Sequence, residues 1–96
     1  MTIELRKFGT TLTSRQNGKE ALAAFSPILK EIKEGEIIYI DFTGVNTFTP
    51  SWGDEFLSQL LYIYKDRLIL LKTDNPSVKT TISILEETNN IKFSVE

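Results

Sequence analysis

The residues of this chain best suited to chemistry lie between positions 41 and 55, and they are three acids and one hydroxyl: Asp41, Ser51, Asp54 and Glu55. A serine hydroxyl can accept a phosphate, which adds between about 1.5 and 2 negative charges and new hydrogen-bond acceptors. Carboxylates can orient the basic groups of a partner or bind a divalent cation. Since the sequence has no Cys and no His, thiol nucleophiles, zinc sites of the Cys/His type and imidazole catalysis are excluded.

Catalysis would have to use acids, lysines or serine alone, and no base other than the acids lies near Ser51 in the sequence. We therefore predict that the chain is not an enzyme. Gly18 and Lys19 lack the earlier glycine of a phosphate-binding loop, and Glu20 follows them. No nucleotide or other cofactor is expected.

The segment before these acids is typical of a buried strand. Residues 36–42 are β-branched or aromatic with hardly a polar break, which favours a strand covered on both faces in a parallel sheet. Asp41 then lies near the carboxyl end of a central strand. Gly44 follows in a turn, where it supplies either a positive φ or room for a neighbouring backbone.

A helix begins after this turn, and two registers fit its start. In one, Thr49 is the N-cap and Pro50 takes the first helical position. In the other, Ser51 is the N-cap and Asp54, three residues later, completes an acidic variant of the capping box. Both registers place Ser51 at the positive end of a helix beside the carboxyl edge of the sheet, where α/β proteins meet ligands and partners. Ser51 is therefore either a phosphoacceptor or a helix cap.

The neighbours of Ser51 also allow two interpretations. Trp52 either packs against the first loop or is exposed as an interaction anchor. Asp54 and Glu55 either face a partner or lie near the helix start because the helix dipole favours acids there. Arg15, from the first loop, could reach Asp54 or Glu55 and connect the two regions.

The remaining elements follow from hydrophobic periodicity and capping residues. The first helix is predicted from an Asn17 cap to about Lys33, with a kink or a break at Pro27. Residues 10–16 are either a loop or a short strand. The other predicted elements are a strand at 2–8, a helix from about 50 to 64, a strand at 68–71, a helix capped by Asn75, and a short edge strand at 91–95. We predict an α/β fold of order β-α-β-α-β-α-β, with helices packed on a mainly parallel central sheet.

Composition limits the class of protein. The 96 residues are sufficient for one domain, and 41% hydrophobic with 25% charged residues is ordinary for a globular protein. A net charge of -2 predicts no long-range attraction to nucleic acid or to a membrane surface. No segment approaches the roughly 20 apolar residues of a membrane span, and the N-terminus has no signal-peptide pattern, so a cytoplasmic location is expected.

Two segments carry a family resemblance. Residues 41–45 (Asp-Phe-Thr-Gly-Val) and 51–55 (Ser-Trp-Gly-Asp-Glu) resemble the STAS-like family of bacterial proteins of unknown function. That family is similar to the STAS domain of anti-sigma-factor antagonists, in which a kinase-like anti-sigma factor phosphorylates a serine at a helix start. The resemblance places the phosphorylated serine on Ser51. Thr49, Pro50 and Trp52 stand where the antagonists have aspartate, serine and glycine.

The residues and the resemblance together give one leading hypothesis. Residues 1–96 are expected to form a single STAS-like domain with a regulatory role in signalling. It would bind a protein partner, a histidine-kinase-like ATPase or an anti-sigma factor, through Arg15, Trp52, Asp54 and Glu55, under control of phosphorylation at Ser51. Asp41 and Gly44 would then be structural. The alternative is a small-ligand or divalent-metal-binding domain that uses Asp41, Asp54 and Glu55.

Overall fold

Six strands and three α-helices make up the computed structural model, which describes residues 1–96. The strands are β1 (Thr2–Glu4), β2 (Thr11–Leu12), β3 (Ile38–Asp41), β4 (Thr47–Phe48), β5 (Leu68–Leu70) and β6 (Ser94–Val95). The helices are α1 (Arg15–Leu29), α2 (Pro50–Tyr64) and α3 (Pro76–Asn89), with short 3₁₀ segments at Leu5–Phe8 and Lys65–Arg67. None of the helices combines the length and the hydropathy that a membrane crossing requires.

The main sheet has the strand order β1-β3-β5-β6, and every neighbouring pair is parallel. The predicted α/β fold with a mainly parallel sheet is confirmed, and the outer strands are parallel too. A second, two-stranded parallel sheet pairs β2 with β4. Residues 10–16 therefore contain a short strand, and they also contain the first two residues of α1.

The sheet is fully buried on only one face. Ile38 and Ile40 of β3 are buried, whereas Tyr39 is half-buried. β5 repeats this alternation, and its half-buried Ile69 is the register partner of Tyr39. The prediction that the strand at residues 36–42 is covered on both faces is wrong. Apolar side chains on the second face shield one another across the strands, so an unbroken apolar run does not require a layer of helices on each side.

Helix α2 has more buried residues than either of the other two helices. Phe56, Leu57 and Leu60 are completely buried along it. Ser58, a polar residue, is also completely buried. The core therefore covers a wider part of α2 than the apolar residues alone indicate.

The helix ends correct two predictions. Ser14, not Asn17, caps α1, because the Ser14 hydroxyl accepts a 2.8 Å hydrogen bond from the backbone N–H of Asn17. The helix ends at Leu29 rather than near Lys33, so Pro27 lies in its last turn instead of dividing it. The predicted cap of α3 is confirmed, since the Asn75 side chain accepts hydrogen bonds from two backbone N–H groups of the first turn.

Candidate functional site

The start of α2 follows the first of the two predicted registers. Thr49 is the N-cap and Pro50 is the first helical residue. The Thr49 side chain does not cap the helix, because its hydroxyl donates a 2.8 Å hydrogen bond to the carbonyl oxygen of Thr13. The interpretation of Ser51 as the helix cap is therefore wrong. The backbone N–H of Thr49 also donates to the Leu12 carbonyl, so the pairing of β2 with β4 fixes where the helix can begin.

Ser51 is the second residue of α2 and is half-buried, and its hydroxyl makes no hydrogen bond within the chain. The first turn of a helix has backbone N–H groups without intrahelical partners. Side chains satisfy such groups in α1 and α3, but no side chain caps α2. A hydroxyl without a structural task thus lies beside uncapped N–H groups.

Trp52, unlike its neighbour Ser51, is fully buried, since only 1% of its surface is exposed. Its ring stacks on Phe56 at a centroid distance of 4.9 Å and lies 6.0 Å from Phe8, just before the first loop. Trp52 and Phe56 are four positions apart on α2, so both side chains point to the same side of the helix. The interpretation of Trp52 as an exposed interaction anchor is wrong, and Trp52 is a core residue.

Arg15 connects the starts of α1 and α2. Its Nη1 donates to Asp54 Oδ2 at 3.2 Å and to Glu55 Oε1 at 2.8 Å, which confirms the predicted link. Arg15 is the first residue of α1 rather than a loop residue. The hydrogen bonds to Glu55 and Asp54 raise the pKa of Arg15. About half of its side-chain surface, 54%, stays exposed.

Asp54 joins a third helix to this pair. Its Oδ1 accepts a 3.1 Å hydrogen bond from Nδ2 of Asn89, at the end of α3. Asp54 and Glu55 lie beyond the first turn of α2, where the helix dipole has little effect. The contact with Arg15, rather than the dipole, explains why acids stand at these positions. The role of Asn89 was not predicted, because a polar residue at a helix end has no distinctive spacing.

Two glycines bring the other helices close to the start of α2. A Cβ on Gly18 of α1 would lie 2.7 Å from the carbonyl oxygen of Trp52, so α1 touches the backbone of α2. A Cβ on Gly53 would lie 3.0 Å from side-chain atoms of Leu85 and Phe48. Neither role was predicted from the sequence, although a glycine inside a helix is itself a signal of close packing.

Asp41 and Gly44 shape the turn that follows β3. Asp41 Oδ1 accepts a 2.9 Å hydrogen bond from the backbone N–H of Thr43. Hydrogen bonds from Thr43, assisted by the positive charge of Arg6, lower the pKa of Asp41. Gly44 has a φ of +86°, which an L side chain rarely adopts. The local geometry thus gives both residues a structural task.

The metal-binding alternative does not agree with the structure. No group of three or more acids is arranged so that it could hold a metal ion. Asp41 is bound in its own turn, whereas Asp54 and Glu55 share the guanidinium of Arg15. The prediction of a divalent-metal site formed by these three acids is therefore wrong.

Comparison with known proteins matches the chain to a family model. No curated protein and no solved structure matches the chain significantly. Residues 25–79, more than half of the chain, match the family described as a STAS-like domain of unknown function (DUF4325). The matched segment contains Ser51, Asp54 and Glu55, whereas Arg15 lies before it. This chain belongs to the family of STAS-like domains of unknown function.

Proposed function

We propose that this chain is a non-enzymatic regulatory module that binds a protein partner through one surface. This α2 surface consists of the exposed parts of Arg15, Ser51, Asp54 and Glu55. Phosphorylation of Ser51 controls the binding. The observation that carries the proposal is the Ser51 hydroxyl, which has no hydrogen bond within the chain and lies at a helix start that no side chain caps.

A phosphate on Ser51 has a favourable electrostatic setting. Backbone N–H groups and the helix dipole stabilise anions at a helix N-terminus. Arg15 neutralises part of the charge of Asp54 and Glu55, so these three side chains carry a net charge of -1. Phosphorylation would bring the α2 surface to a charge of about -3. A partner can detect a change of that size through attraction or repulsion of its own charged groups.

The α2 surface is also held in place before any partner arrives. Gly18 packs against the backbone of Trp52, and Asp54 is bound to both Arg15 and Asn89. A surface that is already ordered loses less conformational entropy on binding. This rigidity supports a role in binding.

The partner that the STAS resemblance implies is a histidine-kinase-like ATPase or an anti-sigma factor. Such a kinase would transfer the γ-phosphoryl group of ATP to the Ser51 hydroxyl oxygen. The bond between the γ-phosphorus and its bridging oxygen breaks, ADP leaves, and the hydroxyl proton passes to a base of the kinase or to water.

The test uses ATP, intact-protein mass spectrometry and any histidine-kinase-like ATPase that the source genome encodes. The wild type should gain one phosphate, and so should the control Ser83→Ala, which changes an exposed serine of α3. Ser51→Ala should gain none. Absence of phosphate on the wild type, or phosphate on Ser51→Ala, would contradict phosphorylation at Ser51.

Binding is tested separately by calorimetry with the same ATPase. Glu55→Lys reverses a charge of the α2 surface and should weaken binding, whereas Glu87→Lys, at an exposed position of α3, should not. Equal affinities for both variants would place the partner elsewhere on the domain.

A further inference from the structure

A cleft of about 410 Å³ opens at the carboxyl ends of β3 and β5, between β6 and the first half of α3. Its apolar walls include Phe42, Leu70, Val78, Ile82 and Val95. Ligand pockets of proteins usually have volumes of about 300–1,000 Å³ and mostly apolar walls. In parallel α/β sheets, ligands bind outside the carboxyl ends of the strands. Size, lining and position therefore all agree with a small-molecule site.

At the cleft, the apolar core is exposed to solvent. Ile3, Ile40, Leu70 and Val95 are consecutive register partners across the main sheet. The first three are at most 2% exposed, but Val95 is 56% exposed. The three partners of Val95 in this register are buried by the rest of the chain. Val95 continues the same apolar row of side chains, but it is exposed to solvent. An apolar group that entered the cleft would remove this surface from water, which is favourable by about 25 cal/mol per Å².

The charged residues of the cleft specify the polar end of a ligand. Lys72 and Lys79 both line it, and neither takes part in any ion pair of the chain. Asp74 is the one acid in the lining. Among the side chains that line the cleft, two ammonium groups and one carboxylate leave a charge of +1, which a single negative charge balances. Glu96, which pairs through its backbone with Leu70 and Lys72, lies beside the cleft but does not line it. Lysine is a compact point charge and suits a small anionic head group.

We propose that this cleft binds a medium-chain carboxylate. The aliphatic tail would lie against Val78, Ile82 and Val95, and the carboxylate would lie between the ammonium groups of Lys72 and Lys79. No residue of the α2 surface lines the cleft. The site therefore does not depend on the proposed function of Ser51, and each can fail without the other.

The experiment titrates the ¹⁵N-labelled protein with sodium octanoate and follows its amide resonances. Saturable shifts are expected at residues 70–74, 78–83 and 95. Octylammonium has the same tail and the opposite charge, so it should bind more weakly by about tenfold or more. Lys72→Gln/Lys79→Gln should weaken octanoate binding about tenfold, since each exposed ion pair contributes only a few-fold. The control Lys30→Gln/Lys33→Gln changes two exposed lysines outside the cleft and should bind octanoate as the wild type does.

A second variant tests the apolar wall. Val95→Asp places a negative charge in the cleft at a position that is already exposed, so the fold should persist while octanoate binding is lost. Three results would overturn the proposal: octanoate shifts that do not saturate, equal affinities for octanoate and octylammonium, or shifts of the same amides on dilution of the protein alone. The last result would show that a second copy of the chain covers the cleft.

Discussion

The Nη1 atom of Arg15 lies 2.8 Å from Oε1 of Glu55, although 40 positions separate the two residues in the chain. The contact joins the start of α1 to α2 and brings the first loop region to the α2 surface. Both side chains remain partly exposed, and exposed ion pairs contribute little to the free energy of unfolding. We therefore interpret the pair as a device that orients the α2 surface more than one that stabilises the fold.

Arg15→Gln should lower the melting temperature slightly at low salt. The difference from the wild type should disappear in 1 M NaCl, because exposed charges are then screened beyond about 3 Å. Thermal unfolding followed by circular dichroism measures both effects. Lys19→Gln is the matched control, since Lys19 is exposed on the same helix and forms no ion pair. A salt-independent loss in Arg15→Gln would contradict an electrostatic role.

Gly18→Ala should destabilise the protein by about 1–3 kcal/mol, because the new methyl group would meet the backbone of Trp52, which cannot move aside cheaply. An alanine is normally favoured over glycine inside a helix by about 1 kcal/mol. A decrease in the free energy of unfolding would therefore indicate the steric clash with Trp52. Gly53→Ala is the comparison, because its methyl group would meet only side chains. In urea unfolding, Gly53→Ala should lower the free energy of unfolding less than Gly18→Ala does. The opposite order would contradict the packing argument.

The fold was largely predictable because its signals are local. Asn75 before Pro76 predicts a helix start from the chemistry of capping alone, and the structure agrees. Asn17 shows the limit, since Ser14 offers an equally good cap three residues earlier and only the position of β2 decides between them. β4 escaped prediction because two residues are too few for a periodic pattern.

The site was less predictable because its geometry depends on contacts between helices. Because the side chains carry opposite charges, Arg15 was predicted to reach Asp54 or Glu55. The ion pairs of Arg15 with both acids confirm this prediction. Whether Trp52 is buried or exposed could not be decided, because an aromatic residue at a helix start suits both environments. The packing of Phe8 and Phe56 around its ring decides it.

Asp41 makes stability depend on pH. Its carboxylate is stabilised by hydrogen bonds from Thr43, so its pKa in the folded protein lies below the ordinary value of 3.8. Because its pKa is lowered in the folded protein, the Asp41 carboxylate adds to the free energy of unfolding. This contribution is fully present above about pH 5 and is lost as the pH falls through the pKa of Asp41 in the folded protein. Asp41→Asn keeps an oxygen that can accept from Thr43 but lacks the charge. It should therefore melt below the wild type at pH 6, and the difference should shrink towards pH 3.

The same comparison has internal controls. The pKa of Glu36 is also lowered, mainly by the backbone N–H of Lys33, but both proteins keep this residue, so its effect cancels. Asp66→Asn alters an exposed acid that makes no hydrogen bond and is the control for the loss of one negative charge. A difference between the wild type and Asp41→Asn that is constant from pH 6 to pH 3 would rule out the ionised Asp41 as its cause.

The capping serine and Ser51 should differ in their effect on stability. Ser14→Ala removes the hydrogen bond to the N–H of Asn17 and should cost about 1 kcal/mol. Ser51→Ala removes no hydrogen bond and should stay within about 0.5 kcal/mol of the wild type. Urea unfolding of both variants measures the contrast. Equal losses would mean that Ser51 has a structural task after all, which would weaken its assignment as a free phosphoacceptor.

Trp52 should matter for folding and not for contact with a partner. Trp52→Ala removes a ring that is 1% exposed and should cost about 3–5 kcal/mol, whereas Trp52→Phe keeps a ring beside Phe56 and should cost less. Folded Trp52→Phe should bind the kinase-like ATPase as tightly as the wild type, because the ring does not reach the surface. Tyr62→Ala, at a residue that is 49% exposed, controls for loss of an aromatic ring from α2. An affinity loss of about 2 kcal/mol or more in Trp52→Phe, the size typical of an anchor residue, would show that the ring leaves the core when the partner binds.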